Sequence, residues 1–514
     1  MSALEGVLVL DFGGQYTHLI ARRVRELGVY SEIVPGDSPA EAVLSRRPGA
    51  LILSGGPRSV FDDGAPRVDP GILRSGIPML GICYGHQLLA HALGGIVRRS
   101  PRAEYGRTRI RVVGSSRIME GLPDEFSAWM SHGDVVLRPP DGFSVTATSD
   151  SGLIAAMESP ERNMYSVQFH PEVSHTEHGR EILRNFLFRV AGLRAGWNPG
   201  SRIPLMVEEV AREVGPDGRA ICAVSGGVDS MTAAAIAHRA IGDRLHVVFV
   251  DHGLLREGEA EEVLGTLRSL GIRNVHFVDA SERFLSALSG VKDPEGKRLV
   301  IGRLFASVFE EVASGIEGAR YLIQGTIYPD RVESGASGRG TDRIKSHHNV
   351  AGLPERFGLR VVEPLRDLYK DEVRAVAREL GLPERIVRRH PFPGPGLAVR
   401  IEGEVTREKL QVARRANAIV EEEFMRAGLY DAVWQAFAVV TESSWVGVKG
   451  DRRELGRVII VRAVTSEDGM TADWFRIPHE LMETISKRMT EEIPGVVMVA
   501  YAATSKPPAT IEPF

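Results

Sequence analysis

Apolar residues in the first 190 or so positions fall in short unbroken runs: Val7 to Asp11, Ala50 to Leu53, Pro78 to Ile82 and Tyr165 to Phe169. Each run ends in a loop carrying Gly or His. Runs this short, without polar alternation, predict parallel strands buried on both faces, and the intervening stretches, Tyr84 to Leu93 among them, read as helices. At residues 193–202 the sequence LRAGWNPGSR is rich in Gly and Pro and loses its period, which predicts a linker. The strand–helix pattern then resumes with Ala220 to Val224, His246 to Val250, Val275 to Asp279, Tyr321 to Gln324 and Val361 to Pro364. After HPFPGPGL, whose prolines cannot continue a helix, long helical stretches (Arg407 to Arg426, Pro478 to Ile493) alternate with the runs Val458 to Val464 and Val496 to Ala503. The pattern predicts an α/β chain with two doubly wound parallel-sheet domains, 1–193 and 200–389, followed by a smaller α+β domain, 390–514.

Length agrees with several domains, since 514 residues exceed what one ordinary core supports. Apolar content of 43% with 25% charged residues is that of a soluble globular protein. A formal net charge of −4 carries no footprint of nucleic-acid binding, so any phosphate ligand must be held by local features. The opening MSALEGVLVLDFGG has no basic leader region, and no apolar stretch is long enough to span a bilayer, so neither secretion nor a membrane span is indicated. Only Cys83 and Cys222 are cysteines, which argues against a disulfide framework or a zinc site and predicts a reducing, cytoplasmic setting.

Chemistry concentrates where predicted strands end. In GICYGHQ (81–87), Cys83 stands between two glycines at a strand-to-helix turn. That is the layout of a nucleophile elbow with sulfur in place of oxygen, and equally of a small buried cysteine. His170 in YSVQFHPEVSH, two residues before Glu172, supplies a base with an orienting carboxylate nearby. AVSGGVDS (223–230) follows a strand and opens a helix; its backbone N–H groups and hydroxyls suit an anion, although it also reads as an ordinary helix cap and lacks the Walker A ending. Asp330 and Glu333 in GTIYPDRVESG, Lys345, His347 and His348 in IKSHHN, and Lys370, Asp371 and Glu372 in LYKDEVR add acids suited to magnesium and bases suited to phosphate. The Gly-rich stretch 334–340 reads as a lid. Each charge run is also compatible with a solvated face, and Asp371 and Glu372 with acids that start a helix.

GICYGHQ, QFHPE and LILSGGP together resemble the class I glutamine amidotransferase module. The resemblance implies Cys83 as nucleophile, His170 as base, Glu172 as orienting acid, and the N–H groups of Gly56 and Tyr84 as the oxyanion hole. SGGVDS, Ser225, Gly226, Gly227, Val228, Asp229 and Ser230, resembles the pyrophosphate loop of the ATP pyrophosphatase superfamily. With KSHHN, HPFPGPGL and the near-terminal TSKPPATIE, these motifs occur in the order found in glutamine-hydrolysing GMP synthetases, across essentially the whole chain. That family resemblance implies ATP-dependent amination of xanthosine 5′-monophosphate (XMP) with ammonia from glutamine, through an adenylated XMP. It also implies ATP as co-substrate, Mg2+ held by Asp229 and Asp371, and an adenylation site with its lid at Asp330, Glu333, Lys345, His347, His348, Lys370 and Asp371. XMP contacts from Lys506 and Glu512, and a homodimer formed through the C-terminal domain, complete the picture.

The chain also departs from that family. Eight residues before Lys506 the family usually carries an arginine for the acceptor's phosphate, within a stretch resembling R-V-V-Y-D, whereas here Met498 to Ala502 read MVAYA. The usual Phe of D-F-M-T-A is Gly469, and the E-W-E ending is Glu512, Pro513, Phe514. A thioether cannot make an arginine's bidentate contact to phosphate. Either another cation, Arg488 or Arg462, takes over or the acceptor binds more weakly.

Overall fold

The computed structural model describes residues 6–330, 358–449, 452–466 and 471–513, without the side chains of 100–103 and 449. Glu333, Lys345, His347, His348, Gly469 and Phe514 lie outside the described residues. The chain divides into two compact units, Met1–Asn198 and Pro199–Phe514, which part inside the Gly/Pro-rich stretch.

The first unit is built on a nine-stranded sheet. Its parallel half consists of β1 (Val7–Asp11), β2 (Ser31–Pro35), β3 (Ala50–Leu53), β4 (Met79–Ile82) and β9 (Met164–Val167), in the order β2-β1-β3-β4-β9. β3, β4 and β9 are buried at every position, which is why they appear in the sequence as unbroken apolar runs. The sheet continues through β8 (Ile154–Ser159), β7 (Ser144–Ser149), β5 (Ile96–Val112) and β6 (Glu125–Arg138), all antiparallel. β6 escapes a search for apolar runs because one of its faces meets solvent, so polar and apolar positions alternate along it. The core gathers Leu10, Leu51, Leu53, Met79, Leu89 and Met157 around the sheet. Strand order reverses between β1 and β3, and ligands of open α/β sheets collect in the crevice at such a switch point, beyond the carboxyl ends of the strands.

In the second unit β10 (Arg219–Ala223), β11 (Leu245–Asp251), β12 (Val275–Asp279), β13 (Ala319–Ile323) and β14 (Arg360–Val362) form an all-parallel sheet of order β12-β11-β10-β13-β14, with its switch between β10 and β13. The Ala-rich helix Val228–Ile241 packs closely on it, since its four buried alanines combine high helix propensity with little bulk. A second sheet follows: β15 (Gln435–Lys449) and β16 (Arg452–Thr465) form a long antiparallel hairpin, with β17 (Asp473–Trp474) antiparallel to β16 and β18 (Val496–Tyr501) parallel to it. The helices Arg407–Arg426, capped by the Thr406 hydroxyl, and His479–Glu492 cover it. A single core runs through both sheets, from Val248, Val250 and Phe309 to Ile419, Val440, Ile459 and Ile485. Residues from 199 onward therefore form one compact body.

Candidate active sites

In the first unit the crevice holds the sulfur chemistry. Cys83 sits between β4 and the helix Tyr84–Ala92 with φ 51° and ψ −102°, a left-handed backbone that costs a non-glycine residue about 1–3 kcal/mol. The turn is held by hydrogen bonds from the Cys83 N–H to the Val167 carbonyl and from the His86 N–H to the Cys83 carbonyl. Gly85 is required here, because a Cβ would stand 2.4 Å from the Leu53 carbonyl oxygen. The Cys83 Sγ lies 3.6 Å from the Ser131 carbonyl oxygen, and the thiol interacts electrostatically with the His170 imidazole.

His170 follows β9, and its Nδ1 is 2.7 Å from Glu172 Oε1. Both residues are buried, at 4% and 1% exposure. Burial by itself pulls the imidazole pKa down, but the Glu172 carboxylate with its hydrogen bond, and the neighbouring Cys83, outweigh it and hold the pKa well above the ordinary value. The Thr176 hydroxyl donates to the His170 carbonyl at 2.6 Å, and the Tyr16 ring meets the imidazole edge-on at 5.1 Å. His86, the other histidine of the motif, is fully buried against Ser166 Oγ at 2.8 Å, and its pKa is pushed down to about 3. It is a neutral packing group.

Among the described residues neither the Gly56 nor the Tyr84 backbone N–H meets a protein acceptor. Gly56 and Cys83 line one cavity of about 700 Å³ with His170 and the Gly13–Gly14 turn. The same cavity has walls that sequence reasoning passed over. Gln87 donates from Nε2 to the Asp134 carbonyl at 2.8 Å, Ser59 Oγ donates to Asp134 Oδ2 at 2.5 Å, and His132 lies 3.3 Å from Glu104. The available signal was SHGD (131–134), a polar break inside an otherwise alternating strand.

In the second unit the SGGVDS loop caps β10 at its switch point. Ser230 Oγ accepts from the Ser225 N–H at 3.2 Å and donates to the Gly227 carbonyl at 3.1 Å. Gly226, at φ +79°, has no room for a side chain: a Cβ would come within 2.8 Å of Val263 and 3.4 Å of the Arg389 guanidinium, which itself donates to the Gly226 carbonyl. Asp229 pairs through one carboxylate oxygen with Lys370, the first residue of the helix Lys370–Glu379. Its other oxygen is buried without a partner among the described residues. Ser225, Gly227, Val228, Asp229 and Lys370 line a cavity of about 250 Å³, closed on the opposite side by His390 to Gly394 of the Pro-rich segment. Asp371 is exposed in the first turn of that helix, and Asp330 Oδ2 accepts from the Ile327 N–H at 3.3 Å. Among the described residues no three His, Cys, Asp or Glu side chains cluster as a metal cage. The unpartnered Asp229 oxygen is instead the kind of single ligand that magnesium takes when phosphates supply the rest.

The chain's end is tied down. Glu512 receives two bonds from Arg400, Nη2 at 2.7 Å and Nε at 3.1 Å, and one from Gln435 Nε2 at 2.6 Å. Arg400 is 3% exposed and stacks on Phe437 and on Phe392 of the loop cavity. Lys506 pairs backbone to backbone with Ala472. Met498 sits on β18 opposite Val458, and the Ala502 N–H donates to Val461. Neither expected substitute cation is at liberty. Arg462 is buried and spends its donors on the carbonyls of Ile511 and Thr510, while Arg488 is enclosed by Glu422, Glu423 and Glu492.

Comparison with known proteins agrees with this layout. Residues 8–190 match the family model of class I glutamine amidotransferases, and residues 422–513 match that of the GMP synthase C-terminal domain. The chain is 55% identical to the glutamine-hydrolysing GMP synthase of Carboxydothermus hydrogenoformans over 506 residues, 98% of this chain and 99% of the relative. It is also 55% identical to that of Pyrobaculum aerophilum (99% of this chain, 100% of the relative) and 54% identical to that of Thermobifida fusca (99% and 98%). Similarity of this depth over both full lengths means that the chain belongs to the family of glutamine-hydrolysing GMP synthases.

Proposed function

We propose that the first unit hydrolyses glutamine and that the second uses the ammonia to aminate XMP to GMP. Cys83 attacks the carboxamide carbon as a thiolate, the form in which sulfur is nucleophilic. The oxyanion that develops is stabilised by the Gly56 and Tyr84 N–H groups, and His170, kept charged by Glu172, gives its proton to the leaving nitrogen. Ammonia departs and a thioester remains. Water then attacks the thioester, His170 takes the proton, and glutamate is released. In the second unit the N–H groups and hydroxyls of Ser225 to Ser230 hold the β- and γ-phosphates of ATP while the acceptor's O2 attacks the α-phosphorus and pyrophosphate leaves. Ammonia adds at C2 of the adenylated acceptor, AMP departs with the former O2, and loss of a proton gives GMP. Asp229 and Asp371 would hold Mg2+, which when bound neutralises phosphate charge. Lys370 brings a further cation to the same cavity.

The observation that carries this reading is that both machineries, an oriented Cys-His-Glu set and a phosphate loop over a cavity, stand at sheet switch points in one chain with full-length relatives of this name. The reading extends to an amidotransferase domain at 1–193, an adenylating domain at 200–389 and a C-terminal domain at 390–514 that makes a homodimer. The exposed Trp445, Val446, Val448 and Leu455 on the β15–β16 hairpin favour a self-contact there. Two free, buried cysteines fit the cytoplasm. The test is pyrophosphate release from ATP with glutamine, Mg2+ and a panel of acceptors comprising XMP, IMP, deamido-NAD and aspartate. Release with XMP alone is expected. Release with another acceptor, or with none, overturns the reading.

A further inference from the structure

Between Ser225 and Val228 the phosphate loop has two consecutive glycines, and the peptide joining Gly226 to Gly227 is the one most free to turn over. Turning it changes only ψ of Gly226 and φ of Gly227, and neither residue has a Cβ to oppose the change. Its orientation decides what the loop offers an anion. In a trans peptide the carbonyl and the following N–H point to opposite sides, so one face presents an acceptor and the other a donor. With the Gly227 N–H toward the cavity the loop attracts phosphate, and with the Gly226 carbonyl there it repels it. Regular structure does not fix the choice, because β10 ends at Ala223 and the helix begins at Val228. Within the loop the Gly227 N–H meets only Ser225 Oγ among the described residues, at a long 3.4 Å.

A side chain from far along the chain makes the choice. Arg389 Nη1 donates to the Gly226 carbonyl at 3.0 Å and to Glu259 Oε1 at 2.8 Å, and Nη2 pairs with Glu262. The Arg389 side chain is 8% exposed, so water contests these contacts little. Both acids stand on the helix Glu259–Ser269, and Glu262 also pairs with Arg385 at 2.7 Å. Two arginines and two carboxylates balance, so the cluster brings no free charge to the cavity that Arg389 borders. What it brings is direction. Ser225 and Gly227 line the cavity whereas Gly226 between them does not, as expected if the guanidinium draws the Gly226 carbonyl outward. Arg389 also opens the Pro-rich segment whose residues His390 to Gly394 form the opposite wall, so one residue joins the two sides.

We propose that Arg389 is a positioning residue for the phosphate loop. It fixes the Gly226–Gly227 peptide with its N–H toward the cavity, and so prepares the loop for the β- and γ-phosphates of ATP without contacting them. The inference rests on the proposed adenylating reaction and adds the residue that sets the polarity of its loop.

Equilibrium binding of ATP, pyrophosphate and AMP, with Mg2+, to full-length wild type, Arg389→Met and Arg389→Lys tests it. A hydrogen bond to a charged group corresponds to roughly ten- to a hundredfold in affinity, so Arg389→Met weakens ATP and pyrophosphate by that factor. AMP, which has no β- or γ-phosphate, keeps its affinity, whereas a general loosening of the cavity would weaken all three. Arg389→Lys keeps a charge beside Glu259 and Glu262 and so remains folded; lacking the fork, it shows part of the same selective loss. A second background separates direction from direct contact. Reversal of the peptide would carry φ of Gly227 from −73° into the positive range that glycine alone adopts readily, so Gly227→Ala opposes reversal. Arg389→Lys therefore loses less pyrophosphate affinity in the Gly227→Ala chain than in the wild-type chain. Equal weakening of AMP, or undiminished pyrophosphate binding in both Arg389 variants, overturns the proposal. An equal loss in the two backgrounds also overturns it, by making Arg389 a direct phosphate ligand. Failure of wild type to bind ATP or pyrophosphate refutes the functional reading instead, and is told apart because it needs no variant.

Discussion

Replacing Glu172 by Gln removes one charge from the amidotransferase site while keeping its shape. The carboxylate stands 2.7 Å from His170 Nδ1 with both groups buried, so solvent screens their interaction little. A hydrogen bond to a charged group contributes about 1.5–3 kcal/mol, and at about 1.4 kcal/mol per tenfold this predicts a glutaminase kcat/KM lower by roughly ten- to two-hundredfold. Synthesis from added ammonium salts bypasses His170 and is expected to keep its rate, which makes it the internal control. Stability against pH supplies an independent reading. The folded His170 pKa lies above the unfolded value of about 6.5, so between the two the folded chain holds a proton that the unfolded chain lacks. This contribution to stability is full below about pH 6.5 and disappears as pH rises through the folded value. In Glu172→Gln burial dominates the imidazole and that loss disappears from the profile of urea midpoint against pH. An unchanged glutaminase rate, or a wild-type slope retained in the variant, would refute the assignment of Glu172 as the group that charges and orients His170.

Cys83→Ala is expected to abolish glutamine-dependent GMP formation and to leave ammonia-dependent formation in place, with the two rates measured side by side; loss of both in a folded variant would contradict a role confined to amide cleavage. Glu512→Ala strands the buried Arg400 guanidinium, and since removing one partner of a buried pair costs about 3–5 kcal/mol, with Asn417 Oδ1 still accepting at 2.9 Å, a loss near the lower end is expected. Thermal unfolding of the full chain should show a midpoint several degrees lower, and Glu512→Gln a smaller drop; equal midpoints for all three proteins would exclude Arg400–Glu512 as an anchor of the chain's end.

Strands buried on both faces could be read directly. Val7–Asp11 and Ala50–Leu53 occur as the runs suggested, and the helix Arg407–Arg426 lies where its period places it. A strand flanked by helices has no polar face, so its composition alone marks it. The hairpins β5–β6 and β15–β16 were legible only in part, through the run Val458 to Val464, because a sheet face open to solvent dilutes the apolar signal over the rest of their length. The order of Cys83, His170 and Glu172 was legible as motifs. The backbone twist at Cys83 was not, since it is imposed by neighbours such as Val167 and Leu53 that meet the turn only in the folded sheet.

Charge is where sequence and tertiary structure part most clearly. By itself the sequence determined the α/β class, the place of the linker, the residue types at each strand end and the absence of an arginine at position 498. It offered Arg462 and Arg488 as equal candidates for the missing cation. Only the folded chain shows both to be engaged, because a guanidinium's availability depends on which carbonyls and carboxylates surround it, and those come from distant segments. Arg462 meets the carbonyls of the C-terminal tail, and Arg488 meets acids on two helices. A side chain's identity is local, whereas its partners are a property of packing.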